Sequence, residues 1–275
     1  MSGTIPGIDY SQLFATTNNA ASILTALYTP ASTTSTATTT GNPVLDLTLA
    51  QQNETKAVAR EARDPNVIRD LAAFTKAVHS AKDIASALAN PNVLKVLLTA
   101  NGLADQQKYP ALVSKILLSN PKDPKSLVNR LSDTRWKTVV GTYQLATNGL
   151  AGLSNPTVQS QLASAYERVT WLGGLDAATP GLAQALQFKK QAASIKNVDQ
   201  ILGDPINWEV VLTALGIPQQ IAFQSLSAQE REVSTRLDIK QLQNPKFVNT
   251  LTDQYLLNKQ QAAGANSSQT SGLFV

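Results

Sequence analysis

Apolar residues recur at intervals of three and four along most of this chain. After Pro65 the stripe is Val67, Leu71, Phe74 and Val78. After Pro156 it is Val158, Leu162, Ala165, Val169 and Leu172, and after Pro245 it is Phe247, Leu251 and Tyr255. That spacing gathers the apolar side chains on one face of a helix. Alternation with a period of two is confined to "VLDLTL" at 44–49, the one segment that reads equally well as a strand. Hairpin signatures are absent, so the pattern predicts an all-α fold.

The helix starts are written into the polar positions. Asp64-Pro65, Asn90-Pro91, Asn155-Pro156, Asp204-Pro205 and Asn244-Pro245 each precede a helix-spaced run. Asp or Asn before the first turn accepts a hydrogen bond from a free backbone N–H, and proline there sacrifices nothing. Ser227 to Glu230 reads as a capping box before a further helix.

The chain also repeats itself. Residues 74–103 align with 188–217 without a gap, with 11 identities in 30. Phe74 faces Phe188, Lys76 faces Lys190, and Pro91 faces Pro205. "LTANGL" at 98–103 faces "LTALGI" at 212–217. Gly102 and Gly216 follow apolar helices and precede Leu103 and Ile217, the pattern of a left-handed glycine that ends a helix. With a small gap, 131–140 faces 242–251, setting Trp136 opposite Phe247. The reading is a duplicated helical module of about 70 residues. The unequal pairs Asn101/Leu215 and Leu94/Trp208 mark where the halves differ, and Trp208 is expected to be largely buried.

Charge sets the limits of the folded body. Residues 1–43 carry only Asp9 and end in a Thr/Ser run, and no charged side chain follows Lys259. The expected organisation is a disordered arm at 1–43, a first helical module at 44–154, a second at 155–259, and a disordered tail at 260–275. Within the arm, Ile23, Leu24, Leu27 and Tyr28 form an apolar group suited to one or two helical turns against a partner. The N-terminus lacks the features of a secretory signal, and no apolar run is long enough to span a bilayer.

Composition then narrows the chemistry. The chain has 23 basic and 19 acidic residues, a net charge of +4, and no cysteine. Disulfides, thiolate metal sites and cysteine nucleophiles are excluded. His79 is the single histidine and reads as a surface residue. The carboxylates sit at caps (Asp64, Asp204) or beside cations (Asp123, Asp133). "TNGLAGL" at 147–153 and "WLGGLD" at 171–176 lack a phosphate-loop pattern and read as helix ends. Lys122, Lys125, Arg130, Arg135 and Lys137, with Trp136 and Tyr143, form a basic patch that Asp123 and Asp133 interrupt. No catalytic, cofactor-binding or metal-binding residue is assigned, and nucleic acid is not expected as a partner.

The block "DIASALANPNVLKVLLTANGL" at 83–103 and "LLSNPKDPKSLVNRL" at 117–131, followed by "DTRW", resemble an uncharacterised family, the domain of unknown function number twelve-seventeen. That family is associated with flagellar gene clusters of alphaproteobacteria, and the resemblance is best over about 64–147. It implies a helical, non-enzymatic, flagellum-associated structural or assembly protein. Its partners would be basal-body, rod or export components, and it would reach the flagellum by the type III export route. The alternative is a cytoplasmic helical adaptor or chaperone for an export partner.

Overall fold

The computed structural model describes residues 40–131 and 133–270. The expected N-terminal arm lies outside the described residues as far as Thr39, as do residues 271–275 of the expected tail. No strand occurs among the described residues.

The described chain opens with α1 (Pro43–Glu61), where Asn42 accepts from the N–H groups of Val44 and Leu45 at 3.0 and 3.3 Å. The ambiguous segment 44–49 is therefore helical. Its buried residues, Pro43, Asp46, Leu47 and Ala50, follow helix spacing rather than alternation. Next come α2 (Pro65–Ser80), α3 (Ile84–Leu88) and α4 (Pro91–Ala100). A stretch of short helices follows: α5 (Pro110–Leu117), α6 (Leu127–Arg130), α7 (Arg135–Tyr143), α8 (Leu145–Asn148) and α9 (Ala151–Ser154). The long α10 (Pro156–Ala178) leads to α11 (Leu182–Gln191), α12 (Asp199–Leu202) and α13 (Pro205–Leu215). The chain closes with α14 (Leu226–Arg236) and α15 (Pro245–Thr270).

All five anticipated Asp/Asn-Pro pairs start helices. Asp64 accepts from Asn66 N–H at 2.7 Å, and Asn90 from Asn92 N–H at 2.9 Å. Asn155, Asp204 and Asn244 do the same for Thr157, Ile206 and Lys246. The same dipeptide at Asn120-Pro121 and Asp123-Pro124 closes turns instead, with Lys122 and Lys125 as donors. The capping box expected at Ser227 is not formed. The N-cap is Ser225 and the helix begins at Leu226, two residues earlier than a Ser227 cap would start it, and Ser227 instead bonds the Ser225 hydroxyl at 3.2 Å. A true capping box stands at α3, where Asp83 and Ser86 bond each other's backbone.

Two clusters of buried side chains organise these helices. The first is built from α2 to α9 and the front half of α10, through Leu162 and Tyr166. The second gathers α11 to α15 with the back half of α10, through Trp171, Leu172 and Leu175, and with Leu47 and Ala50 of α1. Neither cluster coincides with the expected modules at 44–154 and 155–259. α1 precedes the first core in sequence but packs into the second, and α10 spans both. α10 has 23 residues at about 1.5 Å each, and it buries Leu162 and Tyr166 in one core and Trp171, Leu172 and Leu175 in the other.

The duplication has a clear physical form. Phe74 and Phe188 are both fully buried at the centres of their cores, each worth about 1.5–3 kcal/mol of burial. Gly102 and Gly216 have φ of 69° and 62°. Leu103 N–H bonds Leu98 C=O at 2.8 Å, and Ile217 N–H bonds Leu212 C=O at 2.9 Å. Both are glycine helix stops, with Leu103 and Ile217 buried behind them. Beyond this stretch the match differs from the expected one. The helix that covers α4 is α10 and the helix that covers α13 is α15. Pro156, Leu162 and Tyr166 thus correspond to Pro245, Leu251 and Tyr255, and Trp136 is not the counterpart of Phe247. The first module carries α5–α9 between the matched helices, an insertion that broke the sequence register.

The final helix, α15, is described as far as Thr270.

Candidate functional site

The most distinctive surface lies on the second module, where α13 meets the 3-10 turn Gln219–Phe223. Asp204 and Pro205 start α13, which places Trp208 and the buried Leu212 one turn apart on the same face. Gly216 then reverses the chain, and Ile217 packs back on Leu212. The turn that follows carries Ala222 and Phe223 over the same helix. Trp208, Leu212, Ile217, Ala222 and Phe223, with Glu209 and Thr213, line an open cleft. Phe223 is 92% exposed and the neighbouring Leu226 is 59% exposed.

That exposure is held by bonds rather than by slack. Gln229 on α14 donates to Gln224 C=O at 2.8 Å and to Ala222 C=O at 3.4 Å, clamping the backbone on both sides of Phe223. Arg236 pairs with Glu232 at 2.7 Å and donates to Leu215 C=O at 3.2 Å, fixing α14 to the end of α13. Trp208 is only half-buried and lines the cleft. Trp208 packs against the second core without reaching the full burial of its counterpart Leu94. α13 presents its first-turn aromatic to the cleft, whereas α4 is covered at that position.

The floor of the cleft is braced from below. Lys259 on α15 pairs with Glu209 at 2.6 Å, and Asn258 donates to Thr213 C=O at 2.7 Å. Tyr255 donates to the same Glu209 oxygen at 3.3 Å. Burial and the adjacent Glu209 carboxylate push the Tyr255 phenol far above its ordinary range. It stays a neutral donor.

A family model described as "Protein of unknown function (DUF1217)" matches residues 100–248. The match covers more than half of the chain. The chain belongs to the DUF1217 family. Within DUF1217 the matched region takes in the whole cleft, from Trp208 to Phe223, and reaches well past the residues that carried the resemblance in sequence. A crystal structure of an Agrobacterium tumefaciens protein, a structural-genomics target, matches with a TM-score of 0.66 and 24% identity. It covers 78% of this chain and 91% of its own, and it shows that the fold is shared. No curated protein matches the chain.

The remaining sequence candidates fall apart as a second site in this DUF1217 chain. Lys122, Lys125, Arg130 and Lys137 are exposed, but Trp136 and Tyr143 are buried beneath them. No aromatic surface is left between the cations for bases to stack on. Arg135 is engaged by both oxygens of Asp133 at 2.6–3.1 Å and also donates to Gly102 C=O. It caps the end of α4 instead of facing a ligand. Tyr143 bonds Asn101, which explains the polar residue opposite Leu215. His79 is exposed at the end of α2. Among the described residues, His, Cys, Asp and Glu form no group able to hold a metal ion. Gly173 and Gly174 lie inside α10, not at a helix end. Gly149, with φ of 55°, does end a helix. No described helix is long and apolar enough to cross a membrane.

The cleft was missed in sequence because "GIPQQIAFQSLS" at 216–227 has no helical period. Phe223 was visible only as one aromatic in a polar loop.

Proposed function

We propose that this chain is a non-enzymatic, flagellum-associated structural or assembly protein that works through protein contacts. The observation that carries the contact role is Phe223, held open to solvent at the mouth of a braced apolar cleft. Exposed aromatics at such a mouth are typical anchors of protein interfaces. The flagellar assignment rests on the resemblance of residues 83–103 and 117–136 to the family found in flagellar gene clusters. Its partners are basal-body, rod or export components. The test is a clean deletion of the gene followed by swimming in soft agar. Impaired swimming, restored by the wild-type chain, supports the assignment; unimpaired swimming overturns it.

The cleft itself favours a second reading, a cytoplasmic adaptor that takes a partner helix into a groove. Cell fractionation separates the two. Recovery with basal bodies or secreted filament supports the structural role, and recovery confined to the cytosol supports the adaptor.

A further inference from the structure

We propose that the cleft of the second module is a docking site for the chain's own N-terminal segment, with Ile23, Leu24, Leu27 and Tyr28 as the inserted group. The first observation is where the described chain begins. Gln260 on α15 donates to Gly41 C=O at 3.2 Å. The two residues before it, Asn258 and Lys259, hold the cleft-lining Thr213 and Glu209. One run of three residues therefore anchors the root of the segment and braces the floor of the cleft.

Reach is ample. Between Tyr28 and Gly41 the chain extends up to about 3.3 Å per residue, on the order of 40 Å in all. That is several times the roughly 10–12 Å thickness of a helix such as α15, whose residues bond both the root and the cleft.

Chemistry selects the same occupant. Ile23, Leu24, Leu27 and Tyr28 fall at i, i+1, i+4 and i+5, which gathers them on one face of a short helix. The cleft offers Trp208, Leu212, Ile217 and Phe223 to meet such a face. Its one carboxylate, Glu209, is already paired with Lys259. Among the residues that line the cleft, no unpaired charge is left for a charged partner to meet. Residues 1–39 carry only Asp9, so the tethered segment brings apolar surface without a charge to desolvate. Tethering raises its effective concentration to the millimolar range. A weak contact then suffices in one chain, and an outside partner with a stronger anchor displaces it.

The chain has no cysteine, so the full-length protein can be cross-linked at chosen positions. Ala26→Cys is paired either with Gln220→Cys in the cleft or with Gln52→Cys. Gln52 is exposed on α1, within about 20 Å of the root of the segment by helix rise. Docking predicts that the Gln220→Cys pair oxidises within the monomer about tenfold faster than the Gln52→Cys pair, above the tethered background. Adding Leu24→Asp to the faster pair is expected to bring it down to the control rate. Equal rates for the two pairs overturn the proposal. So does a fast pair that Leu24→Asp leaves unchanged. Disulfide-linked dimers forming in place of cross-linked monomers overturn it in favour of a second copy's segment.

Discussion

Tyr166 on α10 donates its hydroxyl to Asp70 on α2 at 2.8 Å, and Lys95 on α4 meets the same oxygen at 2.6 Å. Three helices of the first module are tied at one carboxylate. The second module ties only two helices in this way, α13 and α15, at Glu209 through Tyr255 and Lys259. The tyrosines are equivalent by their place in α10 and α15, but the carboxylate has moved. The position matching Asp70 is Gln184 and the position matching Lys95 is Glu209. Each module keeps one neutral phenol on one carboxylate and one lysine. Tyr166→Phe removes one such bond and is expected to cost about 1 kcal/mol, read as a lower urea midpoint at unchanged slope.

Acid sensitivity follows from the same carboxylate. Burial raises the Asp70 carboxyl, but Lys95 and Tyr166 outweigh it and hold it below the usual carboxylate range. A folded pKa below the unfolded one gives stability that is fully present above about pH 4 and is lost as pH falls through the folded value. Glu54 shifts the same way: burial opposes it, and Lys190 and Arg168 prevail. Glu61 and Asp253 are raised, chiefly by burial, and act in the opposite sense. Asp70→Asn should therefore flatten the fall in melting temperature between pH 6 and pH 3. An acid limb as steep as that of the unaltered chain would show that the pair contributes nothing.

Gly181 is the glycine that the second core cannot replace. Its φ is 90°, and a β-carbon there would stand 2.9 Å from the hydroxyl of the fully buried Tyr255. Gly181→Ala meets left-handed strain and a side chain with no room to move, for a cost of about 2 kcal/mol or more. Gly141, inside α7 with nothing within 4 Å of its would-be β-carbon, provides the contrast. Gly141→Ala is expected to be neutral or to stabilise by about 0.5–1 kcal/mol. Parallel thermal melts of the two variants check both.

What the sequence made legible was local grammar. Asp64, Asn90, Asn155, Asp204 and Asn244 announce helices because a cap is decided within three residues. Gly102 and Gly216 do so for helix ends. Segment 44–49 misled because six residues carry too little period, whereas Asn42-Pro43 settles it as a helix start. The match of Tyr166 with Tyr255 was hidden by α5–α9, which lengthen one module's connection and shift the register. The split of α10 between two cores, and the return of α1 to the second, are long-range packing that no window of sequence encodes. The cleft was hidden for the same reason: Phe223 is exposed because Gln229 clamps its loop, a contact made after folding.

The two glycine stops give a matched pair of tests. Gly102 and Gly216 both have positive φ and open space around the would-be β-carbon. Alanine at either position therefore pays the left-handed penalty alone, about 1 kcal/mol. Gly102 C=O also accepts from Arg135, so the backbone shift that would relieve strain there breaks a second bond. Gly102→Ala is expected to cost more than Gly216→Ala in urea titrations, and equal costs would show that Arg135 does not restrain the turn.

Phe223 separates stability from contact. At 92% exposure it buries almost nothing, so Phe223→Ser should leave folding within about 0.5 kcal/mol of the parent. Leu226→Ser, at 59% exposure, belongs with it. If the cleft mouth is where the chain meets its partner, the double variant should fold normally and yet fail to restore swimming to a deletion strain. Its melting curve must be measured on the same preparation, because a loss of motility with an unfolded chain says nothing about contact. Restored swimming with a normal melt would place the working surface elsewhere on the molecule. The exposed cations Lys122, Lys125, Arg130 and Lys137 would then be the next face to alter, since no described acidic side chain pairs with them.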